Sequence, residues 1–132
     1  MQPQEIQTSA AQPHPIVMPA RSAEFDFAKE LEELRKSPEW ASGIAKKVLI
    51  HYPDFQVTLR RMKAHTRIPE HYNPGRICVH TIFGRIRMHA DGKLFDLPRD
   101  NTLALDRAVT HDVEALEESA FLLTVVHPNN SH

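Results

Sequence analysis

The spacing of apolar residues divides the chain in two. From Phe25 to Lys36 it is helical: Phe27, Leu31 and Leu34 fall at i, i+4 and i+7, with Glu30, Glu32 and Glu33 on the remaining faces. This predicts an amphipathic helix of about three turns. Ser22 or Asp26 is placed to cap its start, and Ser37-Pro38 ends it, because the residue before a proline is pushed out of the α region. A helix this short is marginal alone, so its stripe must dock on something, with Trp40 as the expected anchor.

After Gly43 the helical period disappears and short β-type runs follow, at about 44–50, 55–63, 76–83, 85–90, 93–97, 102–106, 111–116 and 120–126. Turn residues separate them: Tyr52-Pro53-Asp54, Asn73-Pro74-Gly75, Asp91-Gly92 and Glu117-Glu118-Ser119. Asp91-Gly92 between two strands predicts a type I′ hairpin. Eight short strands without helical crossovers predict an all-β jelly roll or barrel.

Residues 1–21 hold four of the ten prolines and little to bury, so they read as a flexible arm, or as a segment lying along a sheet edge if a second subunit shelters it. The organisation expected is an arm over 1–21, helix and linker over 22–42, a barrel domain over 43–127 and a tail over 128–132. A chain of 132 residues is one core's worth. Sixteen basic against seventeen acidic side chains give a net charge of -1, which favours neither nucleic acid nor an anionic membrane. One cysteine, Cys78, makes no internal disulfide, no apolar run approaches a bilayer span, and no secretory pattern is present, so a reducing cytoplasm is expected.

The segment Met62 to Thr81, MKAHTRIPEHYNPGRICVHT, together with His111, carries the candidate chemistry. IPEH ahead of His71, the strand-turn-strand VHTIFGRI and the closing strand SAFLLTVV resemble the cupin superfamily, specifically a small single-domain cupin, over roughly Phe25 to Val126. The resemblance implies a cupin-type double-stranded β-helix, or jelly-roll barrel, preceded by one short N-terminal α-helix. It sets His71 on the first histidine of the family's first motif, Gly84 on its closing glycine and His111 on the histidine of the second motif. Elsewhere the chain departs from the pattern. His65 stands for the opening glycine, Asn73 for the second histidine and Ile77 for the glutamate; Asp100, Asp106, Ala108 and Ala115 replace the second motif's glycine, proline, glycine and asparagine. Of the three-histidine, one-glutamate metal set that the resemblance implies, His71 and His111 remain.

Alternation along strands then outlines a lumen. With His71 inward, Ile77, Val79 and Thr81 share that cavity while Cys78, His80 and Ile82 face away; His111, Val113 and Ala115 face in, with Leu103 and Leu105 or Thr102 and Ala104 completing a wall. Strand 55–63 puts either Arg60 with Met62 or Arg61 with Lys63 inside, and the apolar surroundings favour Arg60 with Met62, where a guanidinium suits a carboxylate ligand.

Two functional classes follow. In the favoured one the lumen, lined by His71, Asn73, Ile77, Val79, Thr81, His111, Val113, Arg60 and Met62, binds a small carboxylated or aromatic molecule without catalysis. In the other, His71 and His111, with Asn73 or water, hold Zn, Fe, Mn or Ni; by resemblance this is an oxygenase, isomerase or decarboxylase with Arg60 orienting substrate. A homodimer is expected in either case. Other residues read more plainly: His65 as a rim histidine, Cys78 and His80 packed beneath the helix, Arg85, Arg87 and His89 as a solvated or ion-paired face, and Asp112 turned away from His111.

Overall fold

The structure is a computed structural model that describes residues 21–127. The arm, apart from Arg21, and the tail lie outside the described residues. The helix α1 forms over Phe27–Lys36, and Asp26 caps it by accepting from the Lys29 amide at 3.3 Å. Ser37 leaves the helix extended ahead of Pro38, as the sequence predicts. A 3₁₀ turn over Pro38–Ser42, not anticipated from the pattern, closes on Gly43 at φ 98° and feeds the first strand.

Among the described residues nine strands follow: β1 (Ile44–Tyr52), β2 (Phe55–Met62), β3 (Arg67–His71), β4 (Arg76–Phe83), β5 (Arg85–Ala90), β6 (Lys93–Pro98), β7 (Thr102–Leu105), β8 (His111–Ala115) and β9 (Ser119–Val126). They form two antiparallel sheets, β1-β2-β9-β4-β7 and β3-β8-β5-β6, between which the chain passes back and forth as a jelly roll does. The sequence reading is one strand short. β3, RIPEH, has no apolar alternation and carries Pro69, which an edge strand tolerates because one side of its backbone needs no partner. Between β5 and β6, Asp91 at φ 54° and Gly92 at φ 70° make the expected type I′ turn.

Where the helix covers it, over β1, β2 and β9, the five-stranded sheet is buried on both faces. Its inner face joins Met62, Ile77, Val79, Phe121 and Val125 to Ile86 and Met88 of the opposite sheet. On its outer face Ala45, Leu49, Leu59 and Ala120 pack under Leu31 and Leu34 of α1. Arg61 fastens that docking: its guanidinium donates to the Leu31 carbonyl at 3.0 Å, pairs with Glu118, and lies over the rings of Trp40 and Phe83. Because β9 separates β2 from β4, the helix reaches β1 and β2 but not the far end of the sheet. Cys78 and His80 therefore do not pack beneath it, contrary to the sequence reading; the His80 ring instead meets the Thr102 hydroxyl at 2.7 Å.

Gly84 sits at φ +79° where β4 turns into β5, and a Cβ there would run into the Glu118 carbonyl and the Ser119 hydroxyl. Gly92 has a similar φ of +70° with open space around it. Chemical denaturation of two variants should separate these cases: Gly84→Ala is expected to lose about 3 kcal/mol or more, and Gly92→Ala only about 1–2 kcal/mol of left-handed backbone strain.

Candidate functional site

β3 and β8 pair with Ile68 opposite Val113 and His71 opposite His111, so three residue steps on β3 match two on β8. In an unbroken strand Ile68 and His71, three apart, would face opposite ways. The bulge absorbs the extra residue, and both side chains line the lumen. His71 and His111 are held alike. Each Nδ1–H donates to the carbonyl two residues back, His71 to Pro69 at 2.8 Å and His111 to Val109 at 2.9 Å. A carbonyl only accepts, so in the neutral ring the lone pair is left on Nε2. The ring centroids are 4.3 Å apart with the planes tilted by 59°. His111 is buried, and burial, reinforced by the neighbouring His71, pushes its pKa below the usual histidine range despite the opposing pull of the Val109 carbonyl. It is neutral at pH 7.

Arg60 reaches the same cavity from β2. It is half-buried, and among the described residues it has neither a hydrogen-bond acceptor nor an ion-pair partner. Desolvation lowers its pKa from the ordinary arginine value, with only a partial offset from the Glu39 carboxylate. A guanidinium is so strongly basic that the group stays cationic at neutral pH. Apolar walls come from Ile68, Val79, Met88, Val113, Phe121 and Leu123. The space they leave is about 20 Å³, enough for roughly one water-sized group.

Of the nine lumen residues named from sequence, Arg60, His71, Val79, His111 and Val113 meet around this cavity. Met62 and Ile77 face the same interior but lie in its packed part. Thr81 is fully buried, and its hydroxyl is used by the Leu97 carbonyl at 3.0 Å. Asn73 is the correction: its side-chain oxygen accepts from the Gly75 amide at 2.9 Å, so it shapes the turn after β3 and does not join the imidazoles. Sequence reading missed Ile68, Met88, Phe121 and Leu123 as walls. Alternation on β5 and β9 carried the signal for the last three, whereas Ile68 was hidden with β3 itself.

No protein-family model matches the chain, and neither does any curated protein. Solved structures do match. A cupin superfamily protein from Desulfitobacterium hafniense superposes with a TM-score of 0.62 at 14% identity, over 64% of this chain and 78% of that one. A cupin 2 conserved barrel domain protein from Leptotrichia buccalis gives 0.60 at 26% identity, over 63% of this chain and 40% of that one. The chain folds as a small cupin domain. Salicylate 1,2-dioxygenase from Pseudoaminobacter salicylatoxidans, solved as adducts with gentisate, shares this fold with a TM-score of 0.70 at 11% identity; the match spans 77% of this chain and 32% of that one.

The donor set does not fit the metal centre that the cupin resemblance implies. Among the described residues no three His, Cys, Asp or Glu side chains form a ligand group. The two imidazoles share their cavity with a guanidinium, and Ile77, standing for the motif's glutamate, supplies neither charge nor oxygen. Their Nδ1–H contacts to backbone carbonyls are the kind that orient metal-binding histidines, yet the anionic ligand that would offset a dication is missing.

Behind the cavity, on the outer face of the four-stranded sheet, Asp112 is buried and turned away from the lumen. Its carboxylate accepts from the His89 amide at 2.8 Å, the His89 ring at 3.1 Å and Arg67 at 2.7 Å. Arg85 pairs with Asp96, so this face is an ion-paired rim, and His65 is an exposed loop residue at φ 69°. Burial alone would push the Asp112 carboxyl up, but its hydrogen bonds from His89 and Arg67 hold it below the usual carboxylate range. The contribution of a group depressed in the folded state is complete above its unfolded pKa of about 3.9 and is lost as pH falls through the lower folded value. Urea unfolding of Asp112→Asn should show about 1–3 kcal/mol less stability at pH 7 and a smaller fall between pH 7 and pH 3 than the parent protein shows.

Proposed function

We propose that this cupin is a non-catalytic binding protein whose lumen takes the carboxylate of a small organic acid. One observation carries the reading: Arg60, which lines a mostly apolar cavity, has no hydrogen-bond or ion-pair partner among the described residues, and the same cavity holds two imidazoles whose Nε2 atoms have none there either. A desolvated cation without a counter-ion is costly, and a bound carboxylate removes that cost through charge-assisted hydrogen bonds. The aromatic occupant that the sequence also allowed needs far more room than about 20 Å³, since pockets for such molecules run to roughly 300 Å³ and above. Even the acid's carboxylate exceeds the one water-sized group that about 20 Å³ admits, so on this reading binding requires a side chain of the wall, with exposed His71 the most accessible, to move aside.

Titration with acetate, followed by calorimetry and by the ring resonances of His71 and His111, is expected to show saturable binding. Arg60→Gln should weaken that binding at least tenfold while leaving the melting temperature unchanged or higher, because the cation that costs most to bury is gone. The metal-dependent reading is tested alongside: near-stoichiometric Fe, Mn or Zn in freshly purified protein, lost in His71→Ala, would overturn the proposal.

A further inference from the structure

Helix α1 stops short of the far side of the larger sheet, and the outer face it leaves bare has a distinctive composition. There Cys78 stands between Thr124 of β9 and Ala104 of β7, and His80 between Leu122 and Thr102. None of these is Asp, Glu, Lys or Arg, and Val126 at the end of the patch is 50% exposed. Arg76, opposite Val126, is neutralised by Asp106 at 2.9 Å. The outer face of the smaller sheet is the reverse: it carries the Arg67–Asp112 and Arg85–Asp96 pairs, as a face turned to water does. An accessible sheet face depleted of charge has the composition of a contact surface. Among the described residues no element covers it.

The chain itself supplies an occupant. From Ile6 to Ala20 it holds no Asp, Glu, Lys or Arg, although 25% of all residues are charged, and Ile16-Val17-Met18 is an apolar run. This segment also joins the fold beside the patch. Phe25 and Phe27, at the head of α1, pack against the same apolar cluster as Leu122, so the residues ahead of them start at the border of the bare face. Eight residues, 13–20, reach about 27 Å when extended, more than the roughly 10 Å from β9 across β4 to β7. A proline fixes its own φ and pushes the residue before it toward extended geometry, so Pro13, Pro15 and Pro19 reduce the entropy lost on docking. We infer that residues 13–20 fold back over the outer face of β9, β4 and β7 of their own chain, with Ile16 to Met18 over Leu122, Thr124 and Cys78. A tethered segment meets its own face at a roughly millimolar effective concentration, which favours it over a second copy. This cover is independent of the lumen and its ligand.

Cys78 is the chain's one cysteine and lies half-buried in the patch, so its alkylation reads the cover. Labelling of the full chain with N-ethylmaleimide is expected to run about tenfold faster in the double variant Ile16→Asp, Met18→Asp than in the parent protein, at rates independent of protein concentration. Added carboxylates by themselves disfavour a thiolate, so a faster reaction reports uncovering. Equal rates overturn the inference. So does a parent rate that falls as protein concentration rises, which gives the face to a second copy. If the variant does not fold, methyl NOEs in the unaltered protein decide. Contacts of Ile16 or Met18 with Leu122 or Val126 are expected within one chain; their absence, or their appearance only between differently labelled copies, overturns the assignment.

Discussion

The constraint on which the structure depends is that the central strands of its larger sheet, β2 and β9, are covered on both sides. Leu59 and Met62 on β2, and Ala120 and Phe121 on β9, are essentially inaccessible although neighbours point opposite ways. Every residue along these strands must therefore be apolar or find a partner. Two consecutive arginines test the rule with opposite results. Arg61, facing the helix, has a carbonyl, a carboxylate and two aromatic rings around it; Arg60, facing the lumen, makes no hydrogen bond or ion pair among the described residues and has only the partial offset of the Glu39 carboxylate. Alternation alone separates the two environments.

Much of this was legible beforehand, because period-two alternation and turn chemistry are local. The helix stripe, the Asp91-Gly92 turn and the inward set on β4 and β8 all follow from side chains within a few positions of one another. What escaped the sequence depends on partners far along the chain. β3 is recognisable as a strand only through its pairing with β8, and Asn73 looked like a third ligand until its side chain was seen bound to Gly75. Cys78 and His80 were misplaced because strand order, not alternation, decides how far a helix reaches across a sheet.

The electrostatics of the lumen set this domain apart from the metal-holding pattern it resembles. Where that pattern places a glutamate, Ile77 is packed into the core at 5% exposure, and the nearest formal charge to the imidazoles on the cavity wall is positive. Two imidazoles with a carboxylate form a cradle for a cation. Here the same pair shares its cavity with Arg60, a difference of side chains that the barrel backbone need not move to make.

The irregularity in β3 has an evolutionary reading. One surplus residue, on a strand at the margin of its sheet, is taken up by the bulge, which leaves an imidazole opposite His111. Loss of a single codon between Ile68 and His71 would restore regular pleating with both side chains still on one face, so the ring would keep its place opposite His111. The margin of this sheet thus absorbs a change of one residue in length without altering which side chains meet, while the hydrophobic interior is built largely by other strands.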